Sequence, residues 1–164
     1  MRSDAEILRK INEVFSVCPR PEHFTNYTHC EECLDHDEVL RSRDLETLSM
    51  ADVGSAGWDP ICYISPEGYA YYFPAFARLV LDSPDPHWGW YGPQFIRHLI
   101  YDPNSIVDVE SNGRFSHFTV DQRMAVAELL EHLMETRAQL VDACMCADNL
   151  LYAHEIWSET EATG

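Results

Sequence analysis

The sequence predicts a mainly α-helical protein, a single acidic helical domain over residues 1–164 built as a helical bundle. Apolar residues recur at helical spacing in three stretches, and patterns that start helices precede these stretches. With 46% apolar residues in 164, the chain can fill one core. A minor β-hairpin is also expected between Ser105 and Phe118, around the turn residues 111–113.

The first helix is predicted over residues 4–16. Ser3 and Glu6 form an S-x-x-E capping box, and apolar residues follow at helical spacing (Ile7, Ile11, Val14 and Phe15). Pro19 and Pro21 then indicate a loop over residues 18–28. A second, acidic helix is predicted over residues 31–42, with Leu34 and Leu40 as its buried anchors.

The central helix is predicted over residues 65–82, the most apolar stretch of the chain. Ser65 is a suitable N-cap and Pro66 suits the first helical position. One helical face carries the residues that we expect in the core: Tyr69, Tyr72, Phe73, Phe76 and Val80. Pro74 cannot donate a backbone hydrogen bond, so the helix either bends there or starts anew.

The segments on either side of the central helix are predicted to be short or irregular. Asp44 caps a turn through Leu48, residues 51–60 are irregular, and residues 61–64 are extended. Residues 83–93 form a loop in which Trp88 and Trp90 either fill the core or form a recognition patch. A short helix follows over residues 94–101.

The last helical stretch begins at the capping box Thr119–Gln122 and reaches Ser158. Unbroken, it would be about 57 Å long, whereas a globule of this size is about 40 Å across. We therefore expect a break, at residues 136–139 or at Asp148. The alternative is a projecting helix that pairs with a second copy.

The formal net charge of −17 limits the classes of molecule that the protein is expected to bind. It disfavours direct binding of nucleic acid and of anionic membranes, and it favours a basic protein partner. The alternative is that the charge serves solubility alone. The partner-binding residues that we predict are Glu31, Glu32, Asp35, Asp37, Trp88 and Trp90.

A His/Cys cluster in HCEECLDH is the sharpest chemical feature: His29, Cys30, Cys33 and His36. Two thiols at C-x-x-C spacing and two imidazoles suit zinc. All four cannot converge within a regular helix, so one ligand is expected from elsewhere, with Cys18, His23 and Cys62 as candidates. The alternative is a pair of ordinary reduced cysteines on a helix.

A thioredoxin-like role is disfavoured, because that mechanism depresses the pKa of one thiol and the two glutamates between the thiols should raise it. No apolar leader and no long apolar window is present, so we expect a cytoplasmic protein without a membrane span. Motifs of zinc deaminases, H-E-x-x-H metalloproteases and phosphate-binding loops are missing from the sequence.

Three segments resemble a family of small uncharacterised bacterial proteins, known only as a domain of unknown function. They are HCEEC at 29–33, ISPEGYAYYFPAF at 64–76 and RFSHFTVDQRMAVAELL at 114–130. The central S-P-E-x-x-x-Y-x-x-P-A pattern is the most specific, and the resemblance extends to about residue 142. It implies a bacterial, intracellular, single-domain protein and assigns no activity.

Two functional hypotheses follow from the sequence. The first is a non-enzymatic acidic module that binds a basic protein, as an inhibitor or immunity-type protein masking a toxin or nuclease would do. The alternative is a zinc-dependent enzyme, or a zinc-stapled structural module, centred on HCEEC.

Overall fold

A computed structural model describes residues 1–100, 115 and 118–159. The described residues form eight α-helices and one short 3-10 helix, η1, without a β-strand. The predicted hairpin at 105–118 lies outside the described residues except for Phe115 and Phe118. The elements are α1 (Asp4–Phe15), α2 (Glu31–Arg41), α3 (Met50–Val53), η1 (Pro60–Cys62), α4 (Pro66–Leu81), α5 (Gly92–Ile100), α6 (Val120–Thr136), α7 (Ala138–Ala143) and α8 (Ala147–Ser158).

The predicted starts of α1, α4 and α6 are confirmed. The side chain of Ser3 accepts the backbone N–H of Glu6, whose carboxylate accepts the N–H of Ser3. Thr119 and Gln122 form the same reciprocal box at α6. Ser65 caps α4 by accepting the backbone N–H of Gly68 at 3.0 Å. These caps fix where α1, α4 and α6 begin, because each satisfies donors that a helix N-terminus leaves free.

α4 is the centre of the core, and the predicted apolar face of this helix is buried along its whole length. α1 packs against α4 and α6, and α8 packs against α5 and α6. Phe15 of α1 stacks on Phe73 of α4 with ring centroids 4.6 Å apart. The helix runs through Pro74 as one element, so the alternative of a new helix starting there is wrong.

The predicted break in the last helical stretch is confirmed at Arg137. The Arg137 guanidinium donates to Asp4 Oδ2 and to the backbone carbonyl of Leu81, each at 2.7 Å. The Arg137 side chain thus connects the start of α1 and the end of α4 to the junction between α6 and α7. A second break follows at Cys144–Cys146, just before the predicted position Asp148, and Met145 adopts φ 52° there.

Several local predictions are wrong. The sequence predicts residues 51–60 to be irregular and residues 61–64 to be extended. Instead, residues 50–53 form α3 and residues 60–62 form η1, which Asp59 caps by accepting the N–H of Ile61. Leu34 is 41% exposed and does not anchor α2, whereas Leu40 is fully buried.

The predicted turn at Asp44 is confirmed by the hydrogen bond from Leu48 N–H to the Asp44 carbonyl. Of the helices that the structure describes, none combines the length and apolar character needed to cross a membrane.

Candidate metal centre

The N-terminus of α2 positions the thiols of the HCEEC motif. Cys30 is the N-cap, with extended backbone angles, and its Sγ accepts the backbone N–H of Cys33 at 3.4 Å. Glu31 and Glu32 follow in the first turn, where negative charge suits the positive end of the helix dipole. The helix therefore starts directly after Cys30, and the two cysteines occupy its first turn.

Three donor atoms meet at this helix start. Sγ of Cys30 lies 3.3 Å from Sγ of Cys33, which lies 3.8 Å from Nδ1 of His29. All three donors are mutually within 4.8 Å. In a tetrahedral zinc site the bond lengths give sulfur–sulfur separations of about 3.8 Å and sulfur–nitrogen separations of about 3.6 Å. The Cys30–Cys33 and Cys33–His29 separations thus lie within about 0.5 Å of the values that one shared ion requires.

The two thiols differ in environment. Cys30 is exposed, whereas Cys33 is 5% exposed. The hydrogen bond from the Cys33 backbone N–H, followed by the contact with His29, lowers the pKa of Cys30. Burial, followed by the neighbouring Cys30 sulfur, raises the pKa of Cys33 to about 11. The expectation that the glutamates raise the pKa of the reactive thiol is therefore wrong for the exposed Cys30, because the cap hydrogen bond has the largest effect there.

His36, the fourth predicted ligand, is not part of this cluster. Its ring is 1% exposed and stacks on Tyr63, with centroids 5.2 Å apart, and it lies 4.7 Å from the Trp58 ring. His36 Nε2 is 3.5 Å from Glu32 Oε1 without forming a hydrogen bond. These two ring contacts place the imidazole against residues on either side of η1. His36 is therefore a packing residue beneath Trp58.

The three substitute ligands are also engaged elsewhere. His23 Nδ1 lies 2.7 Å from Asp37 Oδ2. Cys18 accepts a hydrogen bond from Gln122 at 3.4 Å, and burial raises the pKa of its thiol. Cys62 belongs to a different group of side chains. Within the described part of the chain, the cluster thus has three donors, His29, Cys30 and Cys33.

That second group consists of Asp59, Cys62 and His98, whose donor atoms also lie within 4.8 Å of one another. Asp59 Oδ2 pairs with His98 Nε2 at 2.7 Å and accepts from Gln94 Nε2 at 3.2 Å, while Oδ1 accepts the Ile61 N–H at 2.9 Å. Both carboxylate oxygens are already used. The group links η1 to α5, and sequence analysis missed it because no local spacing joins residues so far apart.

Asp37 and Trp90, two of the predicted partner-binding residues, are buried. Asp37 is 1% exposed, and its Oδ1 accepts the backbone N–H groups of Phe24 at 2.6 Å and Thr25 at 3.2 Å. Trp90 is 7% exposed and donates Nε1–H to the Val80 carbonyl at 2.8 Å. Both side chains are buried and hydrogen-bonded to the backbone inside the protein, so neither lies on the surface that a partner would contact.

The other four predicted partner-binding residues reach the surface. Glu31 and Asp35 are exposed, Glu32 is partly exposed, and Trp88 is 38% exposed. Glu38, which sequence analysis did not single out, is exposed as well. On α2 the spacing of residues 31, 35 and 38 places three carboxylates on one helical face.

The fold and the cluster define a class: a small, mainly helical protein with a thiol–imidazole site at a helix N-terminus. The chain belongs to a family of unknown function, DUF6714, whose sequence pattern matches residues 3–160. This match includes α8, beyond the point near residue 142 where the resemblance in the sequence ends. No curated protein and no solved structure matches the chain.

Proposed function

We propose that this protein binds one zinc ion through His29, Cys30 and Cys33. The observation that supports it is the convergence of three donors within 4.8 Å, two of them thiols that form no disulfide. Thiolate and imidazole are the ligand types that zinc takes in proteins. The sulfur–sulfur separation of 3.3 Å is about 0.5 Å below its tetrahedral value, and the sulfur–nitrogen separation of 3.8 Å is about 0.2 Å above its own.

Three protein ligands leave the fourth tetrahedral position for water or for a group from a bound molecule. Structural zinc sites are usually closed by four protein ligands, whereas catalytic sites keep one position open. Two of the three donor residues here are exposed, so a fourth ligand has access from solvent. These features favour a zinc-dependent enzyme, in which the ion activates water, over a zinc-stapled structural module.

Elemental analysis of the natively purified, untagged protein tests the zinc proposal. We expect about one zinc per chain. Cys30→Ser and Cys33→Ser should lose the ion, whereas Cys144→Ser, which removes an exposed thiol elsewhere, should retain it. A wild type that carries no zinc and takes up none from a buffered zinc solution would contradict the proposal.

The fold of the variants separates the two kinds of zinc site. An open, reactive site predicts that Cys30→Ser loses zinc and keeps the helical circular dichroism and the unfolding midpoint of the metal-free wild type. A structural staple predicts that the same variant unfolds, because the free energy of metal binding is then part of the folding free energy.

A second candidate function is that of an acidic module that binds a basic protein, as an inhibitor or immunity-type protein would. The net charge of −17 and the exposed carboxylates of Glu31, Asp35 and Glu38 on one face of α2 support it. Opposite charges speed association and orient the partners. Glu32 and Trp88 remain part of this proposed surface, because both reach solvent.

Binding to the products of neighbouring genes tests this second function. We expect a basic partner whose affinity falls steeply with salt. The triple variant Glu31→Gln, Asp35→Asn and Glu38→Gln should weaken binding, and a control that neutralises exposed acids of α8, Asp148→Asn and Glu155→Gln, should not. Binding that is insensitive to salt, or equal in both variants, would contradict it.

A further inference from the structure

We propose a second chemistry for the same pair of thiols: in the metal-free protein, Cys30 and Cys33 reduce a low-molecular-weight disulfide and become joined by a disulfide themselves. This exchange activity does not depend on the proposed zinc site. Only its consequence for the metal, described below, rests on that proposal.

The separation of the two sulfurs permits the bond. They are 3.3 Å apart, and a disulfide requires about 2.05 Å. Cys30 is the N-cap and Cys33 lies three residues later, so at 1.5 Å rise per residue and a Cα radius of 2.3 Å their Cα atoms are about 5 Å apart. That separation falls within the range of natural disulfides, about 4.4–6.8 Å. Side-chain rotation therefore suffices to close the bond, without movement of α2.

The unequal exposure of the thiols sets the order of the reaction. Cys30 is exposed, whereas Cys33 is 5% exposed, so an external disulfide reaches only Cys30. Cys30 is therefore the attacking thiol and Cys33 is the one that resolves the mixed disulfide.

The exchange takes two steps. The Cys30 thiolate attacks one sulfur of the small disulfide, forms a mixed disulfide and releases one small thiol. Cys33 then loses its proton and attacks Cys30 Sγ, which forms the internal disulfide and releases the second small thiol. Nδ1 of His29, 3.8 Å from Cys33 Sγ, is positioned to accept that proton. The protein dithiol loses two electrons and two protons, and the small disulfide gains them.

The internal disulfide has a consequence for the metal if zinc occupies the site. Both sulfur ligands become part of a disulfide and no longer coordinate as thiolates, which leaves His29 as the single remaining donor of the cluster. Oxidation should then release the ion, and bound zinc should slow oxidation.

Incubation of chelator-treated protein with oxidised glutathione tests the exchange. After acid quenching and alkylation, peptide mass mapping should show the Cys30–Cys33 disulfide in the wild type. Cys33→Ser should instead accumulate glutathione on Cys30, by about tenfold or more over wild type, because the resolving thiol is missing. Cys30→Ser should form neither product, and Cys144→Ser should behave as wild type in the mapped 29–33 peptide.

Two outcomes would overturn the proposal. One is a wild type that accumulates the Cys30 mixed disulfide as stably as Cys33→Ser does, and the other is glutathione exchange at Cys144 alone. If Cys33→Ser fails to fold, the mapped wild-type disulfide still decides the question. A disulfide that forms in protein unable to bind zinc supports the exchange and refutes the zinc proposal, and zinc binding without a disulfide does the reverse.

Discussion

Replacement of Asp37 by alanine should destabilise the protein severely, although this residue lies in a run of acidic side chains. Its buried carboxylate accepts the backbone N–H groups of Phe24 and Thr25 and pairs with His23. A hydrogen bond to a charged group contributes about 1.5–3 kcal/mol, and a buried N–H left without a partner costs a similar amount. We expect Asp37→Ala to lower the free energy of unfolding by about 3–5 kcal/mol.

Urea unfolding followed by circular dichroism measures this change. For a slope of about 2 kcal/mol per molar urea, the midpoint should fall by about 1.5–2.5 M. Asp35→Ala is the matched control, because this neighbouring carboxylate is exposed, and its effect should stay within about 0.5 kcal/mol. Asp37→Asn should lie between the two, since an amide oxygen can still accept the backbone N–H groups.

Equal effects of Asp37→Ala and Asp35→Ala would refute the reasoning. So would a large loss of partner affinity in Asp37→Ala with an unchanged urea midpoint, because that result would place the carboxylate at a surface. The loop held by Asp37 also reaches the proposed zinc site, since Thr25 Oγ1 donates to the Cys33 carbonyl at 2.7 Å. Asp37→Ala should therefore weaken zinc binding as a secondary effect.

Three further predictions follow. If zinc binds as proposed, a zinc concentration a hundredfold above the dissociation constant should raise the free energy of unfolding of the wild type by at most about 2.7 kcal/mol. Differential scanning fluorimetry should show this as a rise of about 5–10 °C in Tm. Cys30→Ser should lose this gain and Cys144→Ser should keep it. The Arg137 guanidinium lowers the pKa of Asp4, so the carboxylate stabilises the fold above its unfolded-state pKa, and urea midpoints of wild type and Asp4→Asn should converge as the pH falls below about 4. Trp157→Phe should cost about 1–3 kcal/mol in urea unfolding, because it leaves a cavity and removes the 3.0 Å hydrogen bond to the Leu99 carbonyl; an unchanged midpoint would contradict the burial of this ring.

The parts of the fold that the sequence predicts correctly are those that local chemistry determines. The capping boxes at Ser3 and Thr119 act between residues three positions apart, and the apolar face of α4 follows from helical periodicity alone. The break at Arg137 was predictable because one unbroken helix over this stretch would be longer than the globule is wide.

The errors concern side chains whose surroundings come from distant segments. Asp37 lies in the sequence among exposed acids, and its burial depends on the return of residues 23–25 over α2. His36 faces Tyr63 because η1 packs against α2, a contact that C-x-x-C spacing does not encode. Asp59 and His98 are brought together only by the packing of α5, so no motif could reveal them.

The complete donor set of the proposed zinc centre lies within five consecutive residues, His29–Cys33. Closing so short a loop costs little chain entropy, so an unfolded polypeptide also keeps these donors near one another. If zinc binds here as proposed, a nascent chain would be able to capture the ion before α6 and α8 are synthesised, and loading of the ion would then precede assembly of the core.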